Sequence, residues 1–272
     1  MHSVLFSLDH IVIHSFGACL AVAIILCYLV MVRLGRPSGF TPDFISNLLT
    51  ILIVSGLIGA RLFYVAEHWS FYAAQPASIL KIWEGGLMFF GGLLVACASL
   101  VIFIRLQKKP LAKVLDVVVT AVPLSHAIGR VGCFLNGCCY GRTSGSCVAV
   151  TFPHGSIPWP EQLREGLISS EAIRSLPVLP SQLFEAGLNF TIFIVMLLLF
   201  KRRHRHPGSQ VAAYMMMYSV ARFILELSRA DERLHFGWFS ISQAISLGLF
   251  TVGFLLALSI AYRAKNKTAG EP

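Results

Sequence analysis

The stretch Val114-Leu-Asp-Val-Val-Val-Thr-Ala-Val-Pro-Leu-Ser-His126-Ala-Ile-Gly-Arg130-Val-Gly-Cys-Phe-Leu135 decides the fold. Roughly 20 apolar residues carry a helix across about 30 Å of hydrocarbon, and this run supplies them while holding an arginine and a histidine. Working outward, runs of the same kind occupy 10–32, 44–66, 86–104, 181–200, 211–228 and 239–262. The chain is 56 % hydrophobic and 13 % charged, with a mean hydropathy of +0.73. A soluble domain carries about a quarter charged residues, so the reading is an all-α polytopic membrane protein with about seven spans. Residues 1–272 are read as one transmembrane domain.

The net charge of +9 is not a nucleic-acid signal, because the basic residues form short clusters between apolar runs. The denser clusters are Arg33 and Arg36, Arg105 to Lys113, Lys201 to Arg205, and Arg263 to Lys267. Cytoplasmic loops carry the Lys/Arg excess, which puts the N-terminus outside and the C-terminus in the cytoplasm. The stretch before the first run, Met1 to Asp9, has no basic region and the run is too long for a cleaved leader, so it is read as a retained span. No internal repeat stands out, which disfavours an inverted-repeat transporter. The long outer connection, about 137–180, is Gly-, Pro- and Ser-rich, and its piece Pro160 to Ser175 is read as amphipathic and surface-lying.

Charges within spans are rare because each costs at least about 2.5–3.5 kcal/mol to insert. Here Arg61, Arg130, Arg222, Glu185 and Glu226 all fall in the outer half of their spans, whereas Asp116 alone lies near the inner side. Arg222, Glu226 and Arg229 share one helix face, as do His126 and Arg130. Interhelical ion pairs or arginines snorkelling to headgroups would account for one such residue. Three arginines at matching depth suit a phospholipid phosphate, which the guanidinium fork binds bidentately.

The exit of the central run continues Asn136-Gly-Cys-Cys-Tyr-Gly141. Gly129, Arg130, Gly132, Phe134, Asn136 and Gly141 together resemble the signature of the prolipoprotein diacylglyceryl transferase family, Gly-Arg-x-Gly-Asn-Phe-x-Asn-x-Glu-x-x-Gly. The resemblance extends to His14-Ser-Phe-Gly17, Gly59-Ala-Arg-Leu-Phe-Tyr64, Trp83-Glu-Gly-Gly-Leu-Met-Phe-Phe-Gly-Gly92, Pro180-Ser-Gln-Leu-Phe-Glu185 and Arg222-Phe-Ile-Leu-Glu226. It implies a seven-helix enzyme of the bacterial inner membrane. Such an enzyme moves the diacylglyceryl group of phosphatidylglycerol onto the lipobox cysteine of a prolipoprotein, with no cofactor and no metal. The resemblance makes Arg130 and Arg222 catalytic, with His14, Arg61, Asn136, Gly141, Gln182, Glu185 and Glu226 beside Arg130 in substrate binding.

Phe90, Cys133, Cys138 and Leu179 stand where the family pattern has His, Asn, Glu and His. Two readings stay open: His126 supplies the base from one turn before Arg130, or the chain is a paralogue with a changed acceptor or a non-catalytic phospholipid binder. Cys133, Cys138, Cys139 and Cys147 likewise admit plain packing, a disulfide from Cys138 or Cys139 to Cys147, or metal or thiol chemistry.

Overall fold

The computed structural model describes residues 4–8, 11–203, 206–226, 235–236 and 239–269. Nine α-helices account for most of them: α1 Ser15–Gly35, α2 Pro42–Glu67, α3 Trp69–Ala74, α4 Phe89–Leu106, α5 Leu111–Asn136, α6 Pro158–Arg164, α7 Ser181–Arg203, α8 Ser209–Leu225 and α9 Ile241–Ala269. Two short antiparallel hairpins, β1 Val4–Leu8 with β2 Ile11–His14 and β3 His235–Phe236 with β4 Phe239–Ser240, complete the regular structure. Six helices (α1, α2, α4, α5, α7 and α9) are long and apolar enough to cross a membrane. The expected span 211–228 corresponds to α8, which has 17 residues. The first apolar run does not begin as helix: Ile11–His14 form a strand, and α1 starts only at Ser15. Three β-branched residues, Ile11, Val12 and Ile13, open that run and favour the extended form. Arg205 and Arg229, used in the charge and face readings, lie outside the described residues.

The chain forms two compact units, one of residues 1–30 and 115–272, the other of residues 31–114. In the smaller unit, α2 and α4 approach closely through small residues. Gly56 and Ala60 on α2 meet Gly92 and Ala96 on α4, each pair four residues apart. A Cβ on Gly59 would sit 2.5 Å from the Val95 Cβ and 2.7 Å from the Gly91 carbonyl. Membrane helices lack a hydrophobic drive toward one another, so such backbone proximity is what holds a pair. Gly59→Ala is therefore expected to destabilise the protein by about 1–3 kcal/mol, seen as a lower unfolding temperature in detergent.

In the larger unit, α5 is pressed against α1. A Cβ on Gly132 would lie 3.0 Å from the Cys19 Cβ, and Ser125 Oγ donates to the Ala23 carbonyl at 3.3 Å. At the other end of α5, Asp116 is 4 % exposed and caps α8 from 92 residues away. Its Oδ2 accepts from the Gly208 amide at 2.7 Å, and its Oδ1 from those of Gln210 and Val211 at 3.1 Å each. A helix start leaves its first amides without intrahelical partners, and in an apolar setting a carboxylate is the group that satisfies several at once.

Segment 137–180 folds on itself. Val150 and Val178 exchange backbone hydrogen bonds at 2.9 and 3.0 Å, and Ser175 N donates to the Phe152 carbonyl at 2.9 Å. Phe152 and Val178 are fully buried within it. Of the piece Pro160 to Ser175 only residues 160–164 are helical, as the end of α6, and α6 is tucked in: Trp159 Nε1 donates to the Ala172 carbonyl at 2.7 Å, and Gln162 Oε1 accepts from Leu176 N at 2.7 Å.

Candidate active site

Three of the expected site residues meet where α5 and α7 face each other. His126 and Arg130 lie one turn apart on α5, and Glu185 lies in the first turn and a half of α7. Glu185 is 4 % exposed, and its Oε1 is 3.1 Å from both Arg130 Nη2 and His126 Nε2. Arg130 Nε also lies 3.3 Å from His126 Nε2. That nitrogen carries one hydrogen or one lone pair, never both. It accepts from Arg130 when unprotonated and donates to Glu185 when protonated, so a proton at Nε2 exchanges one partner for the other. Among the described residues Arg130 Nη1 meets no acceptor.

Tyr218 of α8 completes this group, and sequence reasoning missed it. Its ring centroid is 6.0 Å from that of His126, and its hydroxyl is within electrostatic reach of Arg130. Tyr218, Arg222 and Glu226 recur every fourth residue, a signal that one α8 face carries all three. One turn on, Arg222 Nη2 pairs with Glu226 Oε2 at 2.9 Å, and Glu226 Oε1 accepts from Ser240 Oγ at 2.8 Å.

The turn after α5 is pinned to the start of α7. Gln182 Nε2 donates to the Cys138 carbonyl at 2.7 Å, Ser181 Oγ to that of Cys139 at 3.0 Å, and the Gly141 amide to that of Leu179 at 2.8 Å. Gly137 has φ +79° and packs so tightly on Phe152 that an added Cβ would lie 3.3 Å from the ring; Cys139 adopts the left-handed region at φ +59°. This turn gathers three thiols: the Sγ atoms of Cys133, Cys138 and Cys139 all lie within 4.8 Å of one another. None of the seven cysteines is in a disulfide, and the exposed Cys147 is not part of the group, so the suggested pairing with Cys147 is not formed. The Cys138 thiol donates to the Cys133 carbonyl at 3.7 Å. The side-chain bond with Cys133 lowers the Cys138 thiol, but the bond with Cys139 and burial outweigh it and hold the thiol above its usual range.

His14 and Arg61 are placed differently. His14 closes β2, is exposed, and makes no described contact with the group above. Arg61 is 6 % exposed within the smaller unit. Its Nε donates to the Ile79 carbonyl at 2.9 Å, Nη1 to those of Gly85 (2.7 Å) and Gly86 (3.0 Å), and Nη2 to those of Ser78 (2.6 Å) and Lys81 (3.3 Å). A guanidinium has five N–H donors, and here each has a backbone acceptor, leaving none for a phosphate. Gly86 has to be glycine: φ is +74°, and a Cβ would meet Tyr64 at 2.5 Å and the Arg61 guanidinium at 2.7 Å. Arg61→Lys keeps the charge with three donors. It is expected to cost about 2–4 kcal/mol of stability, read as earlier proteolysis of segment 75–86.

The model of the family described as prolipoprotein diacylglyceryl transferase matches residues 3–259. The chain belongs to this family. It is 31 % identical to the phosphatidylglycerol–prolipoprotein diacylglyceryl transferase of Clostridioides difficile (strain 630), with all of both chains covered. It is 31 % identical to that of Symbiobacterium thermophilum over 90 % of this chain and 87 % of the relative. It is 27 % identical to the transferase 2 of Clostridium perfringens (strain 13 / Type A) over 90 % of each.

Proposed function

We propose that this protein moves the diacylglyceryl group of phosphatidylglycerol onto the thiol of a lipobox cysteine in a prolipoprotein, releasing glycerol phosphate. The observation that carries the reading is the His126–Arg130–Glu185 cluster, which joins a proton acceptor to a guanidinium with N–H donors to spare. Names of relatives that match 90–100 % of the chain support the substrates.

In this reading Arg130 holds the lipid phosphate and Glu185 holds Arg130. The acceptor thiol gives its proton to His126 Nε2, which then turns to Glu185 and releases Arg130 Nε toward the phosphate. Sulfur attacks the glyceryl carbon, the S–C bond forms, and the C–O bond to phosphate breaks with its electron pair on the phosphate oxygen. Arg130 stabilises that developing charge, and His126 returns the proton to the phosphate monoester. Arg222, held by Glu226, serves the same phosphate from α8. Asn136, Gln182 and Gly141 shape the turn that borders the substrate, and Gln182 Oε1, buried without a donor among the described residues, suits a substrate hydroxyl. Arg61 builds the loop of residues 78–86 within the smaller unit, and the exposed His14 closes β2.

The same reading takes residues 1–272 as one membrane domain of the bacterial inner membrane, with segment 137–180 outside, the N-terminus outside and the C-terminus in the cytoplasm. Its seven spans include α8, whose 17 residues rise about 26 Å, a little short of the hydrocarbon thickness.

The test is incubation of purified protein with radiolabelled phosphatidylglycerol and a lipobox peptide. Label on the peptide supports the proposal; tight lipid binding without transfer favours a non-catalytic phospholipid binder. His126→Ala is expected to lower kcat by about 10²–10⁴-fold with little change in KM. Unchanged turnover would remove His126 as the base.

A further inference from the structure

Two of the three clustered thiols, Cys133 and Cys138, replace the family's polar signature residues, and nothing in the transfer reaction as derived uses them. Their geometry points to a binding site. We propose that Cys133, Cys138 and Cys139 form a three-thiolate site for Zn²⁺ whose fourth coordination position takes the acceptor thiol.

The three sulfurs lie within 4.8 Å of one another with no disulfide between them. Tetrahedral zinc with Zn–S bonds of about 2.3 Å needs sulfurs about 3.8 Å apart, so ligation asks for a closure of about 1 Å. The backbone is held for that purpose. Cys133 sits on the last turn of α5, and the Cys138 and Cys139 carbonyls are tied to Gln182 and Ser181, which fixes the turn while leaving the sulfurs to rotate. The ligand type selects the cation: three thiolates with no carboxylate or imidazole among them favour a thiophilic ion over Mg²⁺ or Ca²⁺. Three thiolates around a dication leave one net negative charge. Arg130 lies within electrostatic reach of Cys133 and Cys139. Cys139 is exposed, so the cluster can be reached by a peptide thiol. Three protein ligands plus an open position is the pattern of a catalytic zinc site, and a coordinated thiol is deprotonated outright. The acceptor's proton passes to His126 as the sulfur binds, and the metal-bound sulfur attacks the glyceryl carbon; no oxidant or reductant is involved.

The role of the fourth position rests on the transferase reading, whereas the metal site stands apart from it. Protein stripped with chelator under reducing conditions is titrated with Zn²⁺, and bound metal per chain is measured by elemental mass spectrometry. One zinc per chain is expected. Cys133→Ser, Cys138→Ser or Cys139→Ser should weaken binding by more than the about 10-fold that loss of an outer-shell partner costs, and Cys147→Ser should not. The wild type loaded with Co²⁺ should show thiolate-to-metal charge-transfer absorption, a readout that needs no variant to fold. No bound metal, unchanged affinity in the triple substitution, or a disulfide within the cluster in reduced protein would overturn the site. Undiminished transfer by metal-free protein would overturn the acceptor role while leaving the transferase reading intact. Zinc bound without any transfer would remove the transferase reading and leave the site.

Discussion

Arg130→Lys is expected to lower kcat for diacylglyceryl transfer by about 100-fold or more, although the positive charge is kept. The guanidinium engages Glu185 through Nη2 and His126 through Nε, and it still offers Nη1 to a phosphate. An ammonium is a point charge at the end of a flexible stem and cannot make those three contacts in one plane. Loss of a single preorganised donor to a developing oxyanion costs about 10²–10³ in kcat, and this substitution removes the plane that positions several. Steady-state kinetics with labelled lipid separates the effect on kcat from that on KM. A lysine enzyme with wild-type kcat would mean that Arg130 is not a phosphate clamp.

The largest effect on stability is expected at Asp116. Asp116→Ala strands the Gly208, Gln210 and Val211 amides at the start of α8. Each buried amide without a partner costs about 1–3 kcal/mol, so a loss of about 3 kcal/mol or more is expected out of a total of about 5–15. Asp116→Asn should lose less, since one carbonyl oxygen still accepts. The unfolding temperature in detergent measures both. Because α8 carries Tyr218 and Arg222, activity should fall with stability even though Asp116 lies at the opposite end of α5 from Arg130. An alanine variant as stable as wild type would show that water or other side chains already satisfy α8.

The spans were legible because crossing a bilayer demands length and apolarity, both local properties of sequence. The buried charges were legible for the converse reason. Their partners were legible only when they were side chains on a recognisable face. His126 and Arg130 were read as a pair from their spacing, and Tyr218 could have been, since it precedes Arg222 by four residues. Arg61 shows the limit. Its burial was plain and suggested a phosphate ligand, but its acceptors are the backbone carbonyls of Ser78, Ile79, Lys81, Gly85 and Gly86, and every residue has a carbonyl. Only the glycine pair, with its positive φ, hinted at a crowded turn. Asp116 was singled out as an inner-side charge, yet its α8 partners are amides 92 or more residues away. The interior of segment 137–180 was illegible on similar grounds, because the Val150–Val178 and Phe152–Ser175 contacts are long-range backbone pairings. The thiol cluster fell between these cases: the cysteines were conspicuous, but the turn that gathers three of them depends on Cys139 taking a left-handed backbone.

The central claim is a thiol-directed lipid transfer at the Arg130 cluster. Its most direct measurement is the mass spectrum of a lipobox peptide after incubation with the purified protein and phosphatidylglycerol. The account predicts that the cysteine residue gains one diacylglyceryl group, with one glycerol phosphate released per peptide modified and no gain on a peptide bearing serine there. An unmodified cysteine peptide in the presence of bound phosphatidylglycerol would contradict it.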